Sequence, residues 1–415
     1  MQIVVSHPTG NRNVRSIIGS LHDQGMLEEF STTLAINPNS GLFNILPNPL
    51  KRELKRRTFN IPGERIRQHP SYEIFRMILP KMGLGRYTRY ENSIAGIDAV
   101  YRNLDLDTAK RLESLNSKKR LTGVYAYEDG ALETFKKAKE LGLKCIYDLP
   151  IAYWEYGRSL MQAEAERLPQ WAITLGGGIN DSQQKLDRKT EEMELADMVV
   201  TPGEFVIRSL PIWSKNKYIH AAPFGSPVPQ NGDFEYETKN KNRPLRVLFA
   251  GSMGQRKGLG DLFAAMKLLN NPAIELVVMG SLLAPMDFYR QQFSDFRYEE
   301  GRPHEEVLAL MKSCDVFCLP SIVEGRALVM QEAMSQGLPL IITPNTGGED
   351  LIIEGETGFL VPISSPQAIA EKLQWFLDNR DAIPAMGTSA KQHASKYTWT
   401  LYGNGVADAI KNNFQ

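Results

Sequence analysis

Two acidic side chains, Glu324 and Glu332, lie eight positions apart across a loop that leads into a helix. The apolar run 316–319 before the loop predicts a buried parallel strand, and Gly337 ends the helical run that follows. The first turn of a helix leaves N–H groups unpaired and carries partial positive charge, so this junction suits an anion. Because a carboxylate beside it accepts hydrogen bonds from hydroxyl groups, the pattern predicts a ligand that carries both an anionic group and hydroxyls.

A second loop, 251–258, supplies cations for the same anion. It starts at Gly251 after a predicted strand and carries Arg256 and Lys257. Glycines allow close backbone approach and two adjacent cations can neutralise a diphosphate, although a plain surface turn has a similar composition. The loop matches neither the P-loop nor the GxGxxG spacing, which disfavours an ATPase and a dehydrogenase. Gly280 follows another strand at the same edge, and the combination suggests a nucleotide sugar.

Elements that position these loops alternate along the whole chain of 415 residues, 42% of which are hydrophobic. A strand at 2–6, a turn with Gly10 and a helix at 14–24 form the opening of a βαβ unit. The alternation predicts an α/β protein with two doubly wound, Rossmann-like domains.

The domain boundary is predicted in a stretch with three prolines and two glycines within residues 222–233. We assign residues 1–222 to an N-terminal domain, 223–243 to a linker and 244–395 to a C-terminal domain that carries the predicted nucleotide-sugar loops. Residues 396–415 are predicted as a helix that returns to the first domain.

Composition excludes several classes of protein. The 48 basic and 48 acidic residues give a net charge of zero and no global argument for nucleic acid. The three cysteines form neither a disulfide framework nor a CxxC pair and are predicted as core thiols, with metal ligation as the alternative. The first residues lack the features of a signal peptide, and no apolar run approaches the roughly 20 residues of a membrane span. We therefore expect a location in the reducing cytoplasm.

A basic segment, 51–90, holds eleven Lys and Arg residues against three Glu, with aromatic residues between them. One interpretation is a solvated helical face. Another is a cationic patch for an anionic membrane surface or an anionic acceptor, which would place the protein peripherally at the inner face of the membrane. Nucleic acid is disfavoured because no companion motif accompanies the segment.

The stretch around the two glutamates resembles a known family. The matching pattern is Pro320-Ser321-x2-Glu324-Gly325-x6-Glu332-Ala333-Met334-x2-Gly337-x-Pro339. It is similar to the signature of retaining glycosyltransferases of family 4, which have the GT-B fold, and the loop 251–258 and the pair Gly347-Gly348 also match. The resemblance is strong over about residues 245 to 365 and looser in the first domain.

This resemblance implies a nucleoside-diphosphate sugar bound between two facing domains. Arg256 and Lys257 would hold the diphosphate, Glu332 would accept from the ribose hydroxyls and Glu324 would contact the transferred sugar. The remaining implied binding positions are Gly10, Gly251, Gly280, Gly325 and the N–H groups of Arg326, Ala327 and Leu328.

The chain departs from the family pattern at two places. Arg326 and Ala327 stand where the family often has an aromatic residue and a glycine, and the Arg326 side chain could add a charge contact. Asp148 occupies the loop where the family often places a histidine, which makes it a fourth candidate catalytic residue beside Glu324, Arg256 and Lys257. His7 is the nearer histidine by chemistry, and a packed or capping role is equally open to it.

The resemblance thus implies a retaining, hexosyltransferase-like enzyme that needs no metal and no cofactor apart from its donor. The acceptor would be a hydroxyl of a glycan or lipid-linked molecule, in envelope glycan, exopolysaccharide or glycolipid synthesis. Alternatives are a non-catalytic GT-B protein that binds a nucleotide sugar or supports a partner enzyme, and a GT-B epimerase or phosphorylase.

Overall fold

The computed structural model describes residues 1–36, 54, 57–119, 121–176, 178–227 and 243–414. Within them the chain forms two parallel β-sheets, each flanked by helices, which confirms the predicted α/β class with two Rossmann-like domains. Most of the predicted linker, at 228–242, and residues 51–53 and 55–56 of the basic segment lie outside the described residues.

The first sheet has seven described strands in the order β3-β2-β1-β4-β5-β6-β7, all parallel. They are β1 (Ile3–Ser6), β2 (Leu27–Thr32), β3 (Ile66–Gln68), β4 (Gly123–Tyr127), β5 (Lys144–Asp148), β6 (Met198–Thr201) and β7 (Tyr218–Ala221). The helices of this part are α1 (Arg12–Asp23), α2 (Ser71–Ile78), α3 (Ile97–Lys119), α4 (Leu132–Glu140), α5 (Trp154–Arg167), α6 (Gln183–Leu195) and α7 (Glu204–Ser209). The strand order reverses beside β1, so the loop that contains Gly10 lies at the switch point, where ligands bind in open α/β sheets.

The second sheet has six described strands in the order β10-β9-β8-β11-β12-β13. They are β8 (Leu245–Ala250), β9 (Ile274–Met279), β10 (Arg297–Glu299), β11 (Val316–Leu319), β12 (Leu340–Ile342) and β13 (Gly358–Leu360). The helices are α8 (Leu259–Leu269), α9 (Met286–Gln292), α10 (His304–Lys312), α11 (Leu328–Ser335), α12 (Pro366–Asp378) and α13 (Ile383–Ala394). Here the order reverses between β8 and β11, which makes the loops after these two strands neighbours.

The last helix, α14 (Trp399–Phe414), packs on the first domain, as the sequence predicted. Its buried residues Tyr402, Val406 and Ile410 share a core with the strand β1 and the helix α1. Gly403 permits this close packing, because a Cβ atom there would lie 2.5 Å from the carbonyl oxygen of Ser16 on α1.

One helix start in the first domain differs from the pattern in the sequence. Asp107, which precedes the run AKRLESL, is expected to cap a helix, but α3 already begins at Ile97. The neighbouring Asp105 caps a different helix, since its carboxylate accepts the N–H groups of Glu133 and Thr134 at 2.8 Å each. The expected cap at Asp107 is therefore wrong. No helix of the described residues is both long and apolar enough to cross a membrane.

Candidate functional site

A cleft of about 440 Å³ opens at the carboxyl ends of the strands β8, β9 and β11. The loop after β8 contributes Gly251 and Lys257, and the loop after β9 contributes Gly280. The residues Ala327, Leu328 and Glu332 line it from the start of α11. The structure therefore brings together three loops that the sequence placed at one edge of a sheet.

Glu324 pairs with both predicted cations of the loop after β8. One carboxylate oxygen, Oε1, lies 3.0 Å from Arg256 Nη1 and 2.6 Å from Lys257 Nζ. Arg256 Nη1 also donates to the carbonyl oxygen of Val323 at 3.0 Å. We call Glu324, Arg256 and Lys257 the Glu324 triad; it carries one net positive charge. Since the carboxylate is nearly buried and each cation partly exposed, the triad suits an anion that arrives from the cleft.

Two glycines let the loops after β8 and β9 touch. A Cβ atom at Gly280 would lie 1.6 Å from the carbonyl oxygen of Gly251, so a side chain there would push the two loops apart. Lys257 packs its stem against Gly251, where a Cβ atom would lie 3.2 Å from the Lys257 Cδ atom. These glycines allow the two loops to lie in contact at the base of the cleft, where the Lys257 amine pairs with Glu324.

Glu332 lines the cleft between groups from both domains. Its carboxylate oxygen Oε1 is 3.6 Å from Nδ1 of His304. Burial raises the pKa of Glu332, while the nearby His304 and Arg12 act in the opposite direction. Arg12 is the first residue of α1, and its charge reaches Glu332 from the first domain.

The sequence did not predict His304 as a cleft residue, nor the electrostatic effect of Arg12 on Glu332. His304 follows the pair Arg302-Pro303, just after a strand that ends at the same edge as β8, and that position was the available signal. Arg12 stands two residues after Gly10, but no motif marks it.

Gly325 and Ala327 have structural contacts of their own. A Cβ atom at Gly325 would lie 1.6 Å from the carbonyl oxygen of Pro150, so the two domains meet there backbone to backbone. The N–H group of Ala327 donates to the carbonyl oxygen of Thr346 at 3.3 Å and is already used. Of the three predicted anion-binding N–H positions, Ala327 and Leu328 line the cleft, and Leu328 is the first residue of α11.

The Arg326 side chain is fully buried and points away from the cleft. Its guanidinium donates to both carboxylate oxygens of Asp350 at 2.7 and 3.0 Å and to the carbonyl oxygen of Gly347 at 3.1 Å. It also donates to Gln331 at 3.0 Å, and Gln331 in turn donates to the carbonyl oxygen of Phe224 in the linker at 2.7 Å. The expected charge contact between the Arg326 side chain and a ligand is therefore wrong, because Asp350 provides a bidentate partner.

Asp148 lies in the core of the first domain rather than on the cleft wall. It is 2% exposed, and burial raises its pKa to about 7. The hydroxyl-bearing residues around it are Tyr125 on β4 and Tyr402 on α14. A side chain covered in this way does not reach a bound sugar, so the structure contradicts the catalytic role predicted for Asp148.

His7 is also packed. Its ring lies 4.3 Å from that of Tyr127, its Nδ1 atom accepts the N–H group of Thr9 at 3.1 Å, and burial lowers its pKa to about 3. Of the two interpretations of this histidine, the structure therefore favours the packed and capping one.

A second pocket, of about 220 Å³, lies on the other side of the Glu324 triad. Arg158 and Lys189 line it from the first domain, and Arg256 and Val323 line it from the second. In the described part of the chain, Arg158 has no carboxylate partner, whereas Lys189 pairs with Glu128 at 3.0 Å. The triad thus separates two cavities, with Lys257 facing the cleft and Arg256 facing the second pocket.

The cysteines and acidic residues give no metal centre within the described ranges. Cys145, Cys314 and Cys318 are free and buried, as predicted for core thiols. Across these same ranges, no group of three or more His, Cys, Asp or Glu side chains is arranged to hold a metal ion.

Comparison with known sequences matches the second half of the chain. Residues 233–393 fit the family model described as "Glycosyl transferases group 1". A D-inositol 3-phosphate glycosyltransferase of Corynebacterium glutamicum is 30% identical over 183 residues, which is 39% of this chain and 44% of that protein. Its counterpart in Corynebacterium efficiens is 28% identical over 220 residues, 53% of this chain and 44% of that protein. The chain spans less than half the length of these curated relatives.

Comparison with solved structures covers both domains. Sucrose-phosphate synthase from Thermosynechococcus elongatus superposes with a TM-score of 0.61 at 17% identity, over 100% of this chain and 99% of that one. Anabaena HepE in complex with UDP gives 0.60 at 14% identity, over 99% of this chain and 100% of that one. The fold is GT-B. In this GT-B chain the sequence match covers the domain that contains the Glu324 triad, while the assignment to family 4 stays a prediction.

Proposed function

We propose that this GT-B chain is a retaining glycosyltransferase that moves a sugar from a nucleoside-diphosphate sugar to a hydroxyl acceptor. The observation that carries the proposal is the position of the Glu324 triad. It forms the wall between a cleft with diphosphate-binding character and a second pocket at the domain interface. A transferase needs two substrate sites that meet at the reacting carbon, and this wall lies where they would meet.

The donor would lie in the cleft. Its diphosphate would bind Lys257 and the first turn of α11, and its ribose hydroxyls would donate to Glu332. The sugar would then extend to Glu324, whose carboxylate is paired with two cations and can accept from sugar hydroxyls. HepE has been solved with UDP-glucose, which makes a UDP-sugar the first donor to test.

The chemistry follows from the charge that develops on the leaving group. As the bond between the anomeric carbon and the diphosphate oxygen breaks, Arg256 and Lys257 stabilise the growing negative charge without a bound metal. The acceptor oxygen attacks from the same side, forms the new bond to the anomeric carbon and gives its proton to the leaving phosphate. Glu324 is ion-paired on Oε1, so we assign it to positioning the sugar rather than to a covalent intermediate.

The acceptor would be a glycan or a lipid-linked molecule, in envelope glycan, exopolysaccharide or glycolipid synthesis. The second pocket, with Arg158 among its lining residues, suits an acceptor with an anionic group.

We further propose peripheral contact with the cytoplasmic face of an anionic membrane. Six exposed apolar side chains beside the basic residues of the predicted patch support it: Ile74, Phe75, Ile78, Met82, Ile94 and Ile97. In a flotation assay with anionic vesicles at low salt, the double variant Phe75→Ser, Met82→Ser is expected to lose binding. Ile212→Ser, at an exposed apolar residue elsewhere, serves as the control. Equal binding of all three proteins, or no binding of the wild type, would contradict the membrane proposal.

The transferase proposal is tested by titrating the protein with nucleotide sugars in a calorimeter and then following turnover with acceptors. Product NMR is expected to show the same anomeric configuration as the donor, and EDTA is expected to leave the rate unchanged. Donor binding without turnover for any acceptor would favour the non-catalytic alternative. A sugar 1-phosphate formed with orthophosphate as acceptor would favour the phosphorylase.

A further inference from the structure

A buried hydrogen-bond network lies beneath the loop that carries Arg256 and Lys257. Gln255, the residue before them, is fully buried. Its amide nitrogen donates to Glu164 Oε2 at 2.8 Å and to Asp261 Oδ2 at 2.7 Å, and its amide oxygen accepts the N–H group of Gly260 at 2.9 Å. Both ends of the amide are therefore fixed, and its orientation is unique.

The backbone of Gln255 is held as well. Its N–H group donates to Thr174 Oγ1 at 3.0 Å, and the Thr174 hydroxyl donates to the carbonyl oxygen of Trp171 at 2.7 Å. Trp171 packs in the core of the second domain against Phe263, with ring centroids 5.9 Å apart. We call residues 164–174, the end of α5 and the turn after it, the α5 strap.

The α5 strap belongs by sequence to the first domain and by packing to the second. Arg167 Nη2 donates to Glu164 Oε2 at 2.6 Å and to Asp261 Oδ2 of the second domain at 2.8 Å. The Ser364 hydroxyl of the second domain donates to Glu164 Oε1 at 2.5 Å. The other end of α5 stays with the first domain, where the Trp154 indole nitrogen donates to Thr190 Oγ1 at 3.1 Å. One helix thus connects the first domain to the base of the cation-bearing loop.

We propose that the α5 strap positions Arg256 and Lys257 for the donor diphosphate, with Gln255 and Thr174 as positioning residues; this inference rests on the proposed function. Gln255 opens the 3₁₀ turn Gln255–Lys257, and fixing its backbone and side chain fixes the direction in which the next two side chains leave the chain. Neither Thr174 nor the Gln255 side chain lines the cleft, so both act through the loop. Donor affinity in the second domain therefore depends on residues contributed by the first.

Thr174 offers a matched pair of variants. Thr174→Val keeps the shape and removes the acceptor for the Gln255 N–H group, whereas Thr174→Ser keeps the hydroxyl. We expect Thr174→Val to raise the Kd for UDP and the KM for the donor by about tenfold, with kcat changed less, because a buried donor loses its partner. Thr174→Ser is expected to restore both values to near those of the wild type.

Thr357→Val is the control for stability alone. Thr357 is buried like Thr174, and its hydroxyl accepts the N–H group of Ile353 at 2.7 Å and donates to the carbonyl oxygen of Leu351 at 2.8 Å, but it neither lines the cleft nor bonds to the cation-bearing loop. A lowered Tm with an unchanged Kd for UDP is expected for this variant.

The outcomes separate the inference from the function on which it rests. If the wild type binds none of UDP, GDP, ADP and TDP, the proposed function fails and the inference falls with it. If the wild type binds one of them and Thr174→Val binds it equally well, only the positioning role is overturned. A Kd raised equally in Thr174→Val and Thr357→Val would also overturn it, because the effect would then follow stability.

Discussion

The two domains share a sheet topology, but their ligand edges differ in how charge is arranged. At the edge of the second domain Glu324, Arg256 and Lys257 meet within 3.0 Å, and the two cations stay partly exposed, Lys257 to the cleft and Arg256 to the second pocket. At the edge of the first domain two titratable residues, His7 after β1 and Asp148 at the end of β5, are buried. Burial lowers the pKa of His7 and raises the pKa of Asp148, so it favours the neutral form of each side chain. A parallel sheet provides an edge for ligands, but only loops that leave charges exposed turn that edge into a site.

The largest effect on the second-domain site is expected at Lys257. Lys257→Ala removes a cation that faces the cleft and leaves Glu324 with one partner, so kcat/KM is expected to fall by about 100- to 1,000-fold. Lys267→Ala, which removes an exposed lysine from α8 in the same domain, is the control and should match the wild type. Steady-state kinetics with a saturating acceptor measure both. Equal activity of the two variants would remove the triad from the mechanism.

A smaller effect is expected at Glu332, which tests the donor side of the comparison. Glu332→Gln should raise the Kd for UDP by about tenfold, because an amide oxygen accepts more weakly from hydroxyls than a carboxylate. Since burial raises the pKa of Glu332, its carboxylate is neutralised at a higher pH than an ordinary glutamate. Wild-type affinity should therefore fall as the pH falls through that pKa, while the affinity of Glu332→Gln should lack this component. Calorimetric titrations over a pH series measure it; parallel profiles would contradict the assignment.

The smallest change in activity is expected at Asp148, on the first-domain side. Asp148→Asn should keep turnover within about threefold, because the side chain lies in the core. Its stability should change with pH: burial raises the pKa from 3.8 to about 7, so the folded state holds a proton that the unfolded state releases. The free energy of unfolding that this proton contributes is fully present below pH 3.8 and is lost as the pH rises to about 7. The loss is about 1.4 kcal/mol for each pH unit between the unfolded and folded pKa values.

Denaturant unfolding at several pH values checks this expectation. The free energy of unfolding of Asp148→Asn should increase relative to that of the wild type as the pH rises from 4 to 8. A large loss of turnover with unchanged stability would return Asp148 to the active site.

The sequence was most informative where a site is built from residues close together in the chain. The segment from Glu324 to Glu332 and the loop at 251–258 carry their own strand ends, glycines and helix start, so their shared edge could be predicted. The alternation of elements over the chain predicted two Rossmann-like domains, and the resemblance to family 4 added the GT-B arrangement.

The sequence was least informative where a residue's partner comes from elsewhere. Arg326 was predicted as a ligand contact because nothing in its motif reveals that its guanidinium donates to both carboxylate oxygens of Asp350. Asp148 looked catalytic by its position at a strand end, but α14 covers it with a residue 254 positions away, Tyr402. The link between Thr174 and Gln255 joins two domains across 81 positions and has no motif at all.

The return of α14 has a mechanical consequence for the pair of domains. The chain passes from the first domain to the second after Ser226 and comes back just before Trp399, and these passages lie side by side: the N–H group of Ser226 donates to the carbonyl oxygen of Tyr397 at 2.8 Å. Phe224 stacks on Trp399, and a Cβ atom at Gly225 would lie 2.4 Å from the backbone nitrogen of Trp399. Two covalent connections held together at one place prevent the domains from separating there. Any opening of the cleft would therefore be smallest beside Ser226 and Tyr397 and larger with distance from them, and the contacts of the α5 strap with Asp261 oppose it.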